Sequence, residues 1–240
     1  MVEVEIWRTI VPLLLAHLIV DFGLQPKAVI DHKKELKHKS YWLYIHSLLA
    51  GVLAYLFVGS WNAYEILYVT AVSHYFIDLW KLNQKENNQR GSFFIDQALH
   101  LLVIAGFVLL YHHDYILQKT SMLVEGEVLA YYMLSIFFLT APTGIFIAQF
   151  FKKWESDIDT TNGLDSAGKW IGYCERLLIF FLVLQSQFTA IGFLIAAKSI
   201  LRLGSQSSDR KQSEYVLLGT LISFTIAIIT GVIVTQLTSQ

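Results

Sequence analysis

Residues 63–81 read AYEILYVTAVSHYFIDLWK. The run is apolar over nearly the length that a bilayer-crossing helix needs, about 20 residues. Yet it carries His74 and Asp78, four positions apart. On a helix that spacing puts both side chains on one face. Ionisable groups inside a membrane are costly, and by default they mark a functional site with partners.

Working outward, the same pairing recurs. AHLIVDFGLQ, residues 16–25, holds His17 and Asp21; DQALHLL, residues 96–102, holds Asp96 and His100. A further apolar run, beginning near Tyr41, carries a lone His46. Metal site, proton path and structural glue between helices are the three readings open to such residues.

Composition favours a membrane protein. Of 240 residues 55% are hydrophobic and only 15% are Asp, Glu, Lys or Arg, where a soluble domain carries about a quarter. Mean hydropathy is +0.50. With a net charge of -1, no global field recruits nucleic acid, and electrostatic roles must be local. The single cysteine, Cys174, excludes an internal disulfide and a Cys-rich metal site. It reads as a small apolar residue. The N-terminal run has Glu3 and Glu5 in place of a basic cluster and lacks a small-x-small cleavage pattern. It is therefore expected to be a retained first span.

Eight apolar segments can be drawn: 7–24, 41–59, 62–81, 93–111, 128–151, 168–185, 187–201 and 214–237. The expected fold is an all-α integral membrane protein, a polytopic bundle of about eight transmembrane helices. Its halves are a His/Asp-rich bundle, 1–127, and a four-span region, 128–240, packed against it as one membrane unit. Pro142 is expected to kink the fifth span, since proline removes a backbone donor. Basic residues set the topology. Lys27, Lys33, Lys34, Lys37 and Lys39 lie after span one, and Lys81, Lys85 and Arg90 after span three. Lys152, Lys153 and Lys169 lie after span five, and Arg202, Arg210 and Lys211 after span seven. The loop after span four has only Lys119 against Asp114, Glu125 and Glu127. The positive-inside rule then puts the odd loops in the cytoplasm and both termini outside. A cell (inner) membrane location follows. Trp42, Trp61, Trp80 and Trp154 fall at span ends, as interfacial anchors do.

This topology aligns the ionisable residues. His17 lies roughly 12 Å from the cytoplasmic end of span one at 1.5 Å per residue, and Asp21 lies one turn nearer that end. His74 and Asp78 repeat the order. Span four runs the other way, and its order reverses: Asp96 first, His100 deeper. Three histidines share one level, three aspartates a shallower one, and His46 falls between. Gly23, Ser47, Ala50, Gly51 and Ser73 would let the helices approach closely. Imidazole with carboxylate suits Zn, Mn or Fe better than Ca or Mg, and Zn is the leading expectation. The candidate metal residues are His17, Asp21, His46, His74, Asp78, Asp96 and His100. They exceed what one zinc takes, so either two metals share the site or some aspartates orient the histidines. Asp78 or Asp96 can serve as general base; spacing does not choose between them.

The second half carries its own charges. GKWIGYCERLLIFF, residues 168–181, holds Glu175 and Arg176; AIGFLIAAKSILR, residues 190–202, holds Lys198 and Arg202; Glu214 opens span eight. One reading is ion pairing, with Glu175 and Glu214 as structural partners, or snorkelling of the long cations. The other is an anion pocket in which Arg176, Lys198 and Arg202 hold a phosphate or carboxylate near the metal. His32 and His38, in the Lys-rich segment after span one, are expected to be solvated. That segment is placed to meet anionic headgroups. His112 and His113 face the opposite side.

AHLIVDFGLQ, the His-Ser of span two, SHYFIDLWK and DQALHLL together resemble the motifs of a family of bacterial multi-spanning membrane proteins, domain of unknown function 3307. The resemblance covers about residues 12–111, and the tail is similar to that of longer members. The pattern is also similar to bacterial membrane-bound proteins described as metal-dependent hydrolases. The resemblance implies an integral membrane fold and the seven His and Asp residues acting as one unit. It implies no substrate.

Taken together, the expected function is that of a membrane-embedded metal-dependent enzyme, a hydrolase of a lipid-linked or phosphate-bearing amphiphile at the cytoplasmic leaflet. The alternatives are a transporter or channel for metal ions or protons and a non-catalytic scaffold. Membrane lipids are the expected partners. Soluble nucleophile and nucleotide motifs are missing from the sequence.

Overall fold

The computed structural model describes residues 2–85, 89–111, 127–154, 167–203 and 210–239. These residues are helical and irregular, with no strand among them. His112, His113, Asp114, Lys119 and Glu125 lie outside the described residues, as do the side chains of Glu3, Glu5, Glu127, Arg202 and Arg210. The chain divides into two units, Met1–Leu134 and Ser135–Gln240, where the sequence reading divides it at 127/128.

Each apolar segment forms a helix or a helix pair. In the first unit, α1 (Val2–Leu18) continues as a π-helical turn, Ile19–Gly23, followed by α2 (Lys27–Leu36) and a 3₁₀ turn, Lys37–Lys39. Then come α3 (Tyr41–Val58), α4 (Tyr64–Leu82) and α5 (Gln89–Tyr111). Next, α6 (Glu127–Leu139) runs up to the break that opens α7 (Ala141–Phe151). α8 (Ala167–Leu184), α9 (Phe188–Leu203) and α10 (Arg210–Thr238) complete the second unit.

On length and composition, four helices can cross a membrane: Tyr41–Val58, Arg90–Leu110, Val128–Phe151 with its internal break, and Ser213–Thr238. The bent pair Thr9–Gly23 and Lys27–Lys39 makes a fifth if it counts as one span. The other segments of the eight drawn fall short for visible reasons. α4 carries Glu65, Asp78 and Lys81; α8 carries Lys169, Glu175 and Arg176; α9 has 16 residues. Large apolar side chains point outward: Leu109 and Leu110 are 78% and 81% exposed, and Phe193 76%. Water penalises such a surface, and lipid does not.

α1, α3, α4 and α5 pack as a ring: α1 against α3, α3 against α4, α4 against α5, and α5 back against α1. One end of its interior is apolar, built from Leu13, Ala16, Ala54, Val58, Ala63, Ile66, Phe107 and Val108. The other end holds the buried His and Asp side chains. α3 and α4 come closest at Gly51, where a Cβ would collide with the Leu67 carbonyl and with Ala71. Ser47 and Ala50 are also buried on α3. Of the small residues expected at helix contacts, Gly23 is exposed and Ser73 half-buried. α3 ends at Gly59, whose φ of 68° caps it in the left-handed conformation.

Two features depart from the sequence reading. The last turn of span one is π-helical rather than α-helical, and single π turns often sit at functional sites. Second, residues 27–36, read as a polar loop, form a helix bent 85° from the first. Its Val29 and Lys33, four apart, point inward, while Lys27, Lys34, Lys37 and Lys39 are exposed. His32, expected to be solvated, is half-buried, with its Nδ1 2.8 Å from Ser40 Oγ.

In the second unit α10 packs along α8 and α7. The break expected at Pro142 falls at Thr140, two residues before it.

Candidate metal centre

Four helices and one turn supply the cluster. His17 comes from the end of α1, Asp21 from the π turn, His46 from α3, His74 and Asp78 from α4, and Asp96 and His100 from α5. All seven side chains come together in one buried group, none more than 6% exposed.

At its centre three atoms form a triangle. His46 Nε2 and His74 Nε2 lie 2.9 Å apart, and Asp21 Oδ1 lies 3.3 Å from the first and 3.1 Å from the second. Gln25 Nε2 is 2.8 Å from His46 Nε2, and Asp78 Oδ2 is 3.5 Å from it. One imidazole nitrogen offers one proton or one lone pair, so it cannot serve four neighbours. A shared cation resolves that crowding. Bonds of about 2.0–2.2 Å at tetrahedral angles separate zinc ligands by about 3.3–3.6 Å. The triangle, with sides of 2.9, 3.1 and 3.3 Å, is at or slightly below that size, so these residues would hold a metal ion after a small outward shift.

Beside the triangle lie His17 and His100. Their ring centres are 4.9 Å apart, and the His74 ring is 4.2 Å from that of His100. His17, His74 and His100 form a second set able to hold a metal; Asp21, Asp96 and His100 form a third. Asp21 Oδ1, Asp96 Oδ1 and His100 Nε2 are buried without a hydrogen-bond partner among the described residues. Buried polar atoms are seldom left so. Their concentration here marks room for something else to bind them.

Four further residues complete the group, and the sequence reading missed them as site residues. Lys33 Nζ donates to Asp78 Oδ2 at 2.8 Å, and Lys81 Nζ pairs with Asp96 Oδ2. Gln97 Nε2 donates to Asp21 Oδ2 at 3.2 Å and to Asp96 Oδ2 at 3.0 Å, while its Oε1 is 3.3 Å from His17 Nε2. Gln25 is the fourth. Helical spacing was the available signal: Lys81 and Gln97 each stand three positions from a recognised residue, Asp78 and His100. The sequence reading places Lys33 among the basic residues of the first cytoplasmic loop; it is 4% exposed. Three aspartates and two lysines give the cluster one net negative charge when all are ionised.

The charges of the second unit are arranged differently. Arg176 is buried, and its Nε and Nη2 donate to the Leu139 and Thr140 carbonyls at the break between α6 and α7; the Thr140 carbonyl also accepts from Gly144 N at 3.1 Å. Its Nη1 donates to Ser223 Oγ at 3.2 Å. Lys198 pairs with Glu175, as the ion-pair reading anticipates. The Arg202 side chain lies outside the described residues.

Residues 9–129 match the family model described as Protein of unknown function (DUF3307). No curated protein and no solved structure matches the chain.

Proposed function

Since the chain belongs to the DUF3307 family, whose description carries no activity, we propose from the cluster itself that the protein is a membrane-embedded hydrolase built on one divalent metal ion. The observation that carries this reading is the triangle of Asp21 Oδ1, His46 Nε2 and His74 Nε2, with sides of 2.9–3.3 Å. Three protein ligands with a fourth position open is the pattern of catalytic rather than structural zinc. Mn or Fe accepts the same donors.

Charge favours one ion over two. A single divalent cation takes the cluster from -1 to +1, which a hydroxide or an anionic substrate balances. A second would leave +3 in a buried site, an expensive excess. Lys33 and Lys81 neutralise Asp78 and Asp96, the carboxylates outside the triangle.

When bound, the metal supplies a polarised substrate oxygen and a water whose pKa falls towards 7. The chain's own groups do the rest. Gln97 holds Asp21 and Asp96 in register. Lys81 and Gln97 occupy Asp96 Oδ2, while Oδ1 has no hydrogen-bond partner. Asp96, rather than Asp78, is therefore the residue we assign as general base, taking a proton at Oδ1. The substrate class is an amphipathic ester or phosphoester. In this reading the chain crosses the inner membrane eight times with both termini outside. The exposed Lys27, Lys34, Lys37 and Lys39 beside the cluster support a cytoplasm-facing site. Arg176 we assign to the helix break rather than to substrate.

The transport alternative needs polar groups continuing through the bundle. Beyond the histidines the interior is the apolar cluster of Leu13, Ala54, Val58, Ile66, Phe107 and Val108, which weighs against it. The test is metal analysis of protein purified from metal-replete cells, followed by hydrolysis assays on metal-stripped and reconstituted protein. One equivalent per chain, lost in His74→Ala, and activity that returns with metal are expected. Folded wild-type protein without metal under those conditions contradicts the proposal.

A further inference from the structure

A narrow cavity lies on the far side of the histidine layer from the lysines. His17, His74 and His100 form its floor. Leu13 of α1, Ala50 and Ala54 of α3, Thr70 and Ser73 of α4, and Val103, Ile104 and Phe107 of α5 form its walls. Ser73 adjoins His74, and each other wall residue lies about one or two turns further along its helix, away from the Asp and Lys end. The far end is closed by the apolar cluster to which Leu13, Ala54 and Phe107 belong.

The cavity opens sideways. Among its lining residues, Thr70, Ser73, Val103 and Ile104 are half-buried, and the rest are buried. Those four stand on α4 and α5, so the mouth is the groove between these helices. Val69 and Val72 on one lip and Leu101 and Leu102 on the other are exposed, from 38% to 65%. The mouth therefore opens onto the apolar surface that faces lipid. The space is about 430 Å³ with its open mouth included, and its enclosed part is much smaller. So small an enclosed space excludes a ring system or a headgroup, and leaves a slender linear chain as the occupant that its apolar walls favour.

We infer that this slot is a lateral portal, which takes one hydrocarbon chain of a membrane amphiphile from the bilayer and presents its polar group to the histidine layer. The inference rests on the metal-centre reading and names the substrate for it: a lipid that never leaves the membrane. Orientation agrees. An inner-leaflet lipid keeps its polar group at the cytoplasmic level, where the Asp and His groups lie, and points its chain towards the bilayer centre, where the slot runs. His100 Nε2, which has no hydrogen-bond partner among the described residues and lies 3.7 Å from Asp96 Oδ1, belongs to the floor and could bond an ester or phosphate oxygen there.

The test uses the full chain in vesicles of phosphatidylethanolamine and phosphatidylglycerol, with a diazirine at the end of one acyl chain. After illumination, adducts are mapped by mass spectrometry, and bound metal is measured on the same sample. Adducts on the buried Leu13, Ala54 and Phe107 are expected. Thr70→Trp, which fills the mouth, should abolish them while leaving adducts on Leu102 and the metal content unchanged. Val103→Trp closes the same mouth from α5 and stands in if the first variant does not fold. Adducts confined to lipid-facing residues, or inner adducts that survive both substitutions, overturn the portal. Metal bound without inner adducts removes the portal alone, whereas folded protein without metal removes the hydrolase reading on which it rests.

Discussion

The two units bury charge in opposite ways. In the second, the buried charge among the described residues, Arg176, bonds two carbonyls at a helix break and a serine hydroxyl, and the half-buried Lys198 pairs with Glu175. A single neutral atom there, Gln149 Oε1, is buried without a partner among the described residues. In the first, two lysines and two glutamines have joined four histidines and three aspartates, and three polar atoms still lack partners. Satisfied charge in a membrane helix reads as architecture. Charge that converges and stays unsatisfied reads as a site. The lesson is that depth and residue type alone do not separate the two, since Arg176, 3% exposed, falls within the 2–7% range of the cluster's histidines.

The contrast can be broken most sharply at Asp21. Asp21→Asn keeps the shape but removes the negative charge at the triangle. Metal affinity should fall by more than about a hundredfold, beyond the 10- to 100-fold typical of residues that only orient a ligand. A titration showing unchanged affinity would place the metal elsewhere. Next comes Arg176→Met. It leaves the Leu139 carbonyl without the Arg176 donor, at about 1–3 kcal/mol for an unsatisfied group, while the Thr140 carbonyl keeps its bond from Gly144 N. Thermal unfolding should report that loss while metal content stays at one per chain. A change in metal affinity instead would mean that the second unit reaches the chemistry. The smallest effect is expected at Gln97. Gln97→Leu frees Asp21, Asp96 and His17 from one orienting amide, and should weaken metal binding about tenfold with little change in stability. Calorimetric titration checks it.

Much of this arrangement was legible in the sequence. The helices follow from apolar runs, and the fifth segment breaks beside Pro142 as its missing donor requires. Six of the seven His and Asp residues stand in i, i+4 pairs whose order reverses with chain direction, and the lone His46 joins them by its depth in an apolar run. What stayed hidden depends on tertiary context. A lysine-rich segment reads as solvated until a partner such as Asp78 comes within 2.8 Å of Lys33. The π turn that carries Asp21 leaves no mark in IVDFG, because local propensity does not encode it. Arg176 looked like a candidate for anions because the carbonyls that claim it belong to residues 37 and 36 positions earlier.

The most direct measurement is an anomalous-scattering map of the metal-loaded protein. The account predicts one peak per chain, about 2.0–2.2 Å from Asp21 Oδ1, His46 Nε2 and His74 Nε2, with Lys33 and Lys81 still on Asp78 and Asp96. Two peaks bridged by Asp21, or none in folded and fully loaded crystals, would contradict it.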